Sequence, residues 1–164
     1  MWDGLRDKEM DRIIVAEEML TRFSKFGNVL EIGCGEGIFY NHINENIYSF
    51  YEGIDISSVA IDKTKPNSKT IFEAADMETY VPSKLKYSVI VFNEVLFYSK
   101  NPFQLVDRYV KFLDESGILM IGMYDTPKSI IIWKDILIQY TILESKNIYQ
   151  DGKSWTYKVL IPKN

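Results

Sequence analysis

The sequence has one cysteine and one histidine. No second thiol exists for an intrachain disulfide, and a zinc cage of Cys and His ligands cannot be assembled, so no metal site is expected. Long apolar runs are missing too: none reaches the roughly 18 residues that a bilayer-spanning helix needs. The first residues are charged rather than signal-like, so no membrane association and a cytoplasmic location are expected. An excess of basic charge is also lacking, with 19 Lys and Arg against 23 Asp and Glu and a net charge of −4. Proteins that grip phosphate backbones carry a basic face, which disfavours nucleic acid as a partner. There is no internal repeat, no low-complexity tract and no linker long enough to split the chain.

What is present suits one folded domain over residues 1–164. The chain is 46% hydrophobic and 14% aromatic, enough to bury a core. Helical and strand-like patterns alternate. Residues 7–25 carry Met10, Ile13, Ile14, Met19, Leu20 and Phe23 at helical spacing, with Gly27 as the stop. Asn28–Ile32 reads as a buried strand, and a helix follows through Ile38, Phe39, His42 and Ile43. Residues 50–56 form the next strand, and Ser57 caps a short helix that Pro66 ends. Lys69–Ala74 and Tyr87–Phe92 are further strands.

Asn101-Pro102 signals a helix that carries Phe103 to Leu113 and ends before Gly117. Ile118–Met123 is the fifth strand. Thr126-Pro127 starts a last helix, and residues 140–150 and 153–161 flank the turn signal Asp151-Gly152. Five β/α units and a terminal hairpin predict an α/β fold: three layers, doubly wound, with a mostly parallel seven-stranded sheet and an antiparallel C-terminal hairpin. Residues 28–126 form its core and 127–164 the last helix and hairpin.

The string Val29-Leu30-Glu31-Ile32-Gly33-Cys34-Gly35-Glu36-Gly37 lies where the first strand meets the first core helix. In a doubly wound sheet that junction is a ligand site, because helix amides point outward and glycines let a ligand approach the backbone. Asp55 closes the second strand, where a carboxylate can accept the hydroxyl protons of an adenosine ribose. A Walker phosphate loop is absent. The dinucleotide fingerprint Gly-x-Gly-x-x-Gly fails as well, since position 38 is Ile and the third glycine falls at Gly37.

This string resembles the first motif of class I S-adenosylmethionine (SAM)-dependent methyltransferases, and the resemblance continues in order along nearly the whole chain. It implies SAM as cofactor. Glu31 and the backbone around Gly33, Gly35 and Asn93 would hold the amino-acid end, with Cys34 and Gly37 completing the loop. Asp55 would take the ribose hydroxyls and Ile56 would pack on adenine. Asp76 would accept the adenine amino group, and the Met77 amide would donate to a ring nitrogen. Plainer roles compete: Asp76 as a turn cap, Met77 as core packing, Glu31 as a brace of the loop, and Cys34 as a small hydrophobe in a tight turn. Residues 1–27, with Trp2, Arg6 and Arg12, would form an N-terminal helix and lid as in similar enzymes.

The methyl acceptor belongs at the carboxyl ends of strands four and five, where Glu94, Tyr98, Tyr124 and Asp125 are the candidates. Glu94 is the candidate base or orienting group, and Tyr98 and Tyr124 are a candidate aromatic wall. His42 reads as structural or exposed. No Asn-Pro-Pro-Tyr string follows strand four, so nucleobase amine methylation loses support. Asn93–Tyr98 is similar to the corresponding loop of small bacterial enzymes that methylate amino sugars and other small molecules, the nodulation S-like group among them. The expected activity is methyl transfer to oxygen or nitrogen of a small molecule; a catalytically silent protein of the same fold is the alternative. The oligomeric state is not encoded in any pattern here.

Overall fold

The computed structural model describes residues 10–164. In chain order the elements are α1 (Met10–Phe23), β1 (Asn28–Ile32), α2 (Ile38–His42), β2 (Phe50–Asp55), α3 (Ser58–Ile61), β3 (Thr70–Ala74) and β4 (Tyr87–Asn93). They continue with α4 (Pro102–Val110), β5 (Leu113–Tyr124), α5 (Pro127–Gln139), β6 (Tyr140–Gln150) and β7 (Lys153–Pro162). The seven strands form one sheet in the order β3-β2-β1-β4-β5-β7-β6. Neighbours from β3 to β5 are parallel, and β7 runs antiparallel to both β5 and β6. The expected mostly parallel sheet with an antiparallel terminal hairpin is borne out.

Burial on both faces explains the strand sequences. Val29, Leu30, Ile32 and Val89 to Phe92 are buried, as central parallel strands require. On one face Val29, Val89, Val91 and Met120 pack with Ile13, Met19 and Leu20 of α1 and Phe39 of α2. On the other, Leu30, Ile90, Phe92 and Leu119 pack with Leu105 and Val106 of α4 and Ile132 and Trp133 of α5. Helices on both faces make the three layers.

The helix starts follow the capping chemistry. The side chains of Ser57, Asn101 and Thr126 accept from the amides of Ala60, Gln104 and Ser129. At Thr126 the amide donates in turn to the Ser129 hydroxyl oxygen, closing a capping box.

Some boundaries differ from expectation. Leu113 belongs to β5 rather than to the preceding helix, because it pairs with Tyr87 across a register shift in β4. The helix after Ser57 stops at Ile61, well before Pro66. Asp55 closes the second strand as expected, and the third begins at Thr70, one residue later than predicted. Residues 7–9 of the predicted first helix, and Trp2 and Arg6 of the predicted lid, lie outside the described residues. Among the described residues, no helix is long and apolar enough to cross a membrane.

From β1 the chain order runs outward to β2 and β3 on one side, and from β4 to β5 on the other. The carboxyl ends of β1 and β4 therefore flank the topological switch point, where the two connections diverge and leave a crevice.

Candidate functional site

A cavity of about 450 Å³ opens at that switch point, within the size range of small-molecule sites. Its lining includes Gly33, Asp55, Ile56, Asp76, Met77, Glu94 and Tyr98. Seven of the sequence-derived candidates thus meet around one space.

The turn after β1 forms the floor. Gly33, Gly35 and Gly37 have φ of 79°, 55° and 76°, in the left-handed region that costs a side chain energy. At Gly33 space matters as well, since an added Cβ would lie 2.8 Å from the Val95 side chain. The Gly33 and Cys34 amides donate to the Ile54 carbonyl at 2.8 and 2.9 Å, tying the turn to the end of β2. The Gly35 amide donates to Asp55 Oδ2 and the Ser57 amide to Asp55 Oδ1, each at 2.9 Å. Each carboxylate oxygen has a further lone pair for a ligand hydroxyl.

The second wall is the segment after β3. Asp76 Oδ1 accepts from the Glu78 amide at 2.9 Å, so Asp76 does cap its turn while also facing the cavity. Sequence reasoning missed what holds this segment. Arg108 of α4 donates to the carbonyls of Met77, Thr79 and Tyr80 at 3.2, 3.0 and 2.6 Å. The neighbouring Tyr109 hydroxyl donates to Met77 O at 2.8 Å. Backbone carbonyls some 30 positions away leave no mark in the sequence around Arg108.

Glu31, Cys34, Gly35, Gly37 and Asn93 stand behind the lining rather than in it. Glu31 is buried and accepts from the Tyr51 hydroxyl at 2.6 Å. Burial pushes its carboxyl up to about 7, against the opposing hydrogen bonds from Tyr51 and Asn93. Cys34 is buried, and burial likewise pushes its thiol far above the usual range, which disfavours a nucleophilic role. Asn93 Oδ1 accepts from the Tyr157 hydroxyl at 2.7 Å. Neither Tyr51 nor Tyr157 was a sequence candidate.

At the other end, Glu94 lines the cavity with a left-handed φ of 58°, an uncommon conformation for a residue with a side chain. Its amide donates to the Gly122 carbonyl at 2.9 Å, which fixes the exit from β4. Tyr98 stands 76% exposed at the rim, and Ile56 is 79% exposed opposite. Two bulky apolar groups left open beside a cavity are the kind of surface a ligand covers. Tyr124 instead packs edge-on against Trp155 at 5.5 Å, and Asp125 accepts from the Thr156 hydroxyl at 2.8 Å. Neither is in the lining, and His42 is exposed on α2. Among the described residues, no cluster of His, Cys, Asp and Glu suits a metal ion.

Comparison with known proteins matches residues 2–158 to a family model described as a methyltransferase domain. The chain belongs to that methyltransferase family. Over 102 residues it is 34% identical to malonyl-acyl-carrier-protein O-methyltransferase 2 of Ilyobacter polytropus, covering 59% of this chain. The match spans only 39% of that relative's length. The fold is that of the N-methyltransferase NodS from Bradyrhizobium japonicum WM9, solved with S-adenosyl-L-homocysteine (SAH), with a TM-score of 0.77 and 21% identity. That likeness covers 95% of this chain and 88% of NodS. The fold also matches the (4+2)-cyclase SpnF, with a TM-score of 0.75 and 10% identity over 90% of this chain and 80% of that one. The expected class I methyltransferase fold and family are borne out.

Proposed function

We propose that the methyltransferase binds SAM in the switch-point cavity and transfers its methyl group to an oxygen or nitrogen of a small molecule. The observation that carries this is the meeting of Asp55 with the glycine turn at one open cavity. Asp55 accepts from the ribose hydroxyls, and Ile56 covers one adenine face. Asp76 and the Met77 amide read the adenine edge, on a segment held rigid by Arg108. Glu31, Asn93 and the Gly33 backbone serve the amino-acid end.

When bound, SAM supplies an electrophilic methyl group on a positively charged sulfur. Water would stabilise that charge, so a site that excludes it and aligns the acceptor favours the reaction. Tyr98 is suited to exclude water at the rim. Glu94 is suited to orient the acceptor and to take its proton where the acceptor arrives protonated. The names of the two related enzymes, one an O- and one an N-methyltransferase, support either acceptor atom.

The test is SAH formation from SAM with a panel of amino sugars, hydroxylated small molecules and carboxylates, including a carrier-protein thioester. Turnover above the acceptor-free blank is expected with at least one of them. A second reading, a protein that binds the cofactor without methyl transfer, draws on the occurrence of the fold in a cyclase. Tight SAH binding with no turnover on any acceptor would favour it.

A further inference from the structure

We infer that Tyr157, on the antiparallel strand β7, is a positioning residue for the amino-acid end of the cofactor. It acts through Asn93 on the buried Glu31 carboxylate. The inference rests on the cofactor reading above.

The sequence makes room for this tyrosine. Tyr157 pairs with Gly122 of β5, and Gly122 in turn pairs with Asn93 at the end of β4. A Cβ on Gly122 would lie 2.2 Å from the Tyr157 ring, so the ring occupies the space that a side chain there would fill. Crossing β5 in this way, the fully buried ring delivers its hydroxyl to Asn93 Oδ1 at 2.7 Å.

That bond fixes which way the Asn93 amide points. Its oxygen is taken by Tyr157, so its nitrogen is the end that serves Glu31, whose carboxylate Asn93 hydrogen-bonds. Arg12 of α1 donates to the Tyr157 oxygen at 3.4 Å, which directs the hydroxyl proton toward Asn93. Donors therefore run one way, from Arg12 through Tyr157 and Asn93 to Glu31, and Tyr51 of β2 donates to the same carboxylate from the other side. Such chains strengthen each other by polarisation.

Glu31 is 1% exposed, so its charge depends on these donors rather than on water. The titratable and charged groups facing it are Tyr51 and Asp55 of β2, Cys34 of the turn, Arg12 of α1 and Tyr157 of β7. Asp55 opposes ionisation of Glu31 and Arg12 favours it. Without the Tyr157 hydroxyl, the Asn93 amide is free to turn, and the Glu31 anion loses a donor held in place. A cofactor ammonium group would then meet a carboxylate that ionises only at higher pH.

The experiment compares wild type with Tyr157→Phe, which keeps the ring in the Gly122 slot. SAH and 5′-methylthioadenosine, which lacks the amino-acid end, are titrated by calorimetry between about pH 6 and pH 8.5. SAH affinity of the variant is expected to fall about threefold to tenfold at the lower pH, the loss of one oriented hydrogen bond to the Glu31 anion, and to approach wild type at the upper pH. The pH midpoint of SAH binding moves upward, and 5′-methylthioadenosine binds both proteins alike. Unchanged SAH binding and midpoint overturn the inference, as does an equal loss for both ligands, which marks a structural role alone. Wild type that binds 5′-methylthioadenosine and SAH equally well at every pH overturns it too, while leaving the adenosine site standing. Wild type that binds neither overturns the cofactor reading together with the inference.

Discussion

The Asp55 carboxylate accepts a hydrogen bond from the Gly35 amide at 2.9 Å, joining positions 20 apart in sequence. The Ser57 amide holds the other oxygen at the same distance. Both bonds orient the carboxylate before any ligand arrives, which reduces the ordering cost of binding. The glycine turn and the acidic end of β2 are thus one preorganised unit at the cavity floor.

Arg108 clamps the opposite wall through three backbone carbonyls. Arg108→Ala should lower stability by about 1–3 kcal/mol, since hydrogen bonds from a charged donor are lost. SAH affinity should fall as well, because the Met77 amide is no longer held. Urea denaturation and SAH calorimetry check the two effects; wild-type SAH affinity in a destabilised variant would separate the clamp from the adenine site.

Glu31 makes stability depend on pH. Its carboxyl is raised from the ordinary 4.5 to about 7, chiefly by burial. The folded state therefore favours the protonated form. That contribution is full below pH 4.5 and is lost as the pH rises through about 7. The loss amounts to about 3 kcal/mol at most. Glu31→Gln removes it, so the variant should melt higher than wild type at pH 8 and nearly with it at pH 4. Thermal melts across that range provide the measurement, and parallel pH profiles of the two proteins would rule the effect out.

Glu94 is assigned to the acceptor rather than to SAM. Once an acceptor is found, Glu94→Gln should lower turnover by about 10²–10⁴-fold if that acceptor arrives protonated. SAH affinity should change little. A variant that loses SAH binding with turnover intact at saturation would move Glu94 to the cofactor side.

The residues show why some of this was readable beforehand and some was not. Ser57, Asn101 and Thr126 act within three positions of themselves, so their caps are written locally. The strand cores of β1 and β4 are legible because burial on both faces demands unbroken apolar runs. Leu113 is not legible as strand because Asp114 to Gly117 looks like a helix end, whereas its strand state comes from pairing with Tyr87. The cavity-lining residues sit at strand ends that the family motif marks. Tyr51, Arg108 and Tyr157 instead brace Glu31, the segment after β3 and Asn93 through bonds spanning 20 to 64 positions, a relationship that only the fold creates.

Calorimetric titration of SAH into wild type and Asp55→Ala tests the cofactor assignment most directly. Wild type should bind, and the variant should bind about 1–3 kcal/mol more weakly, because the ribose hydroxyls lose a charged acceptor and the Gly35 amide loses its partner. Equal affinity of the two proteins for SAH, or no binding by wild type, would contradict it.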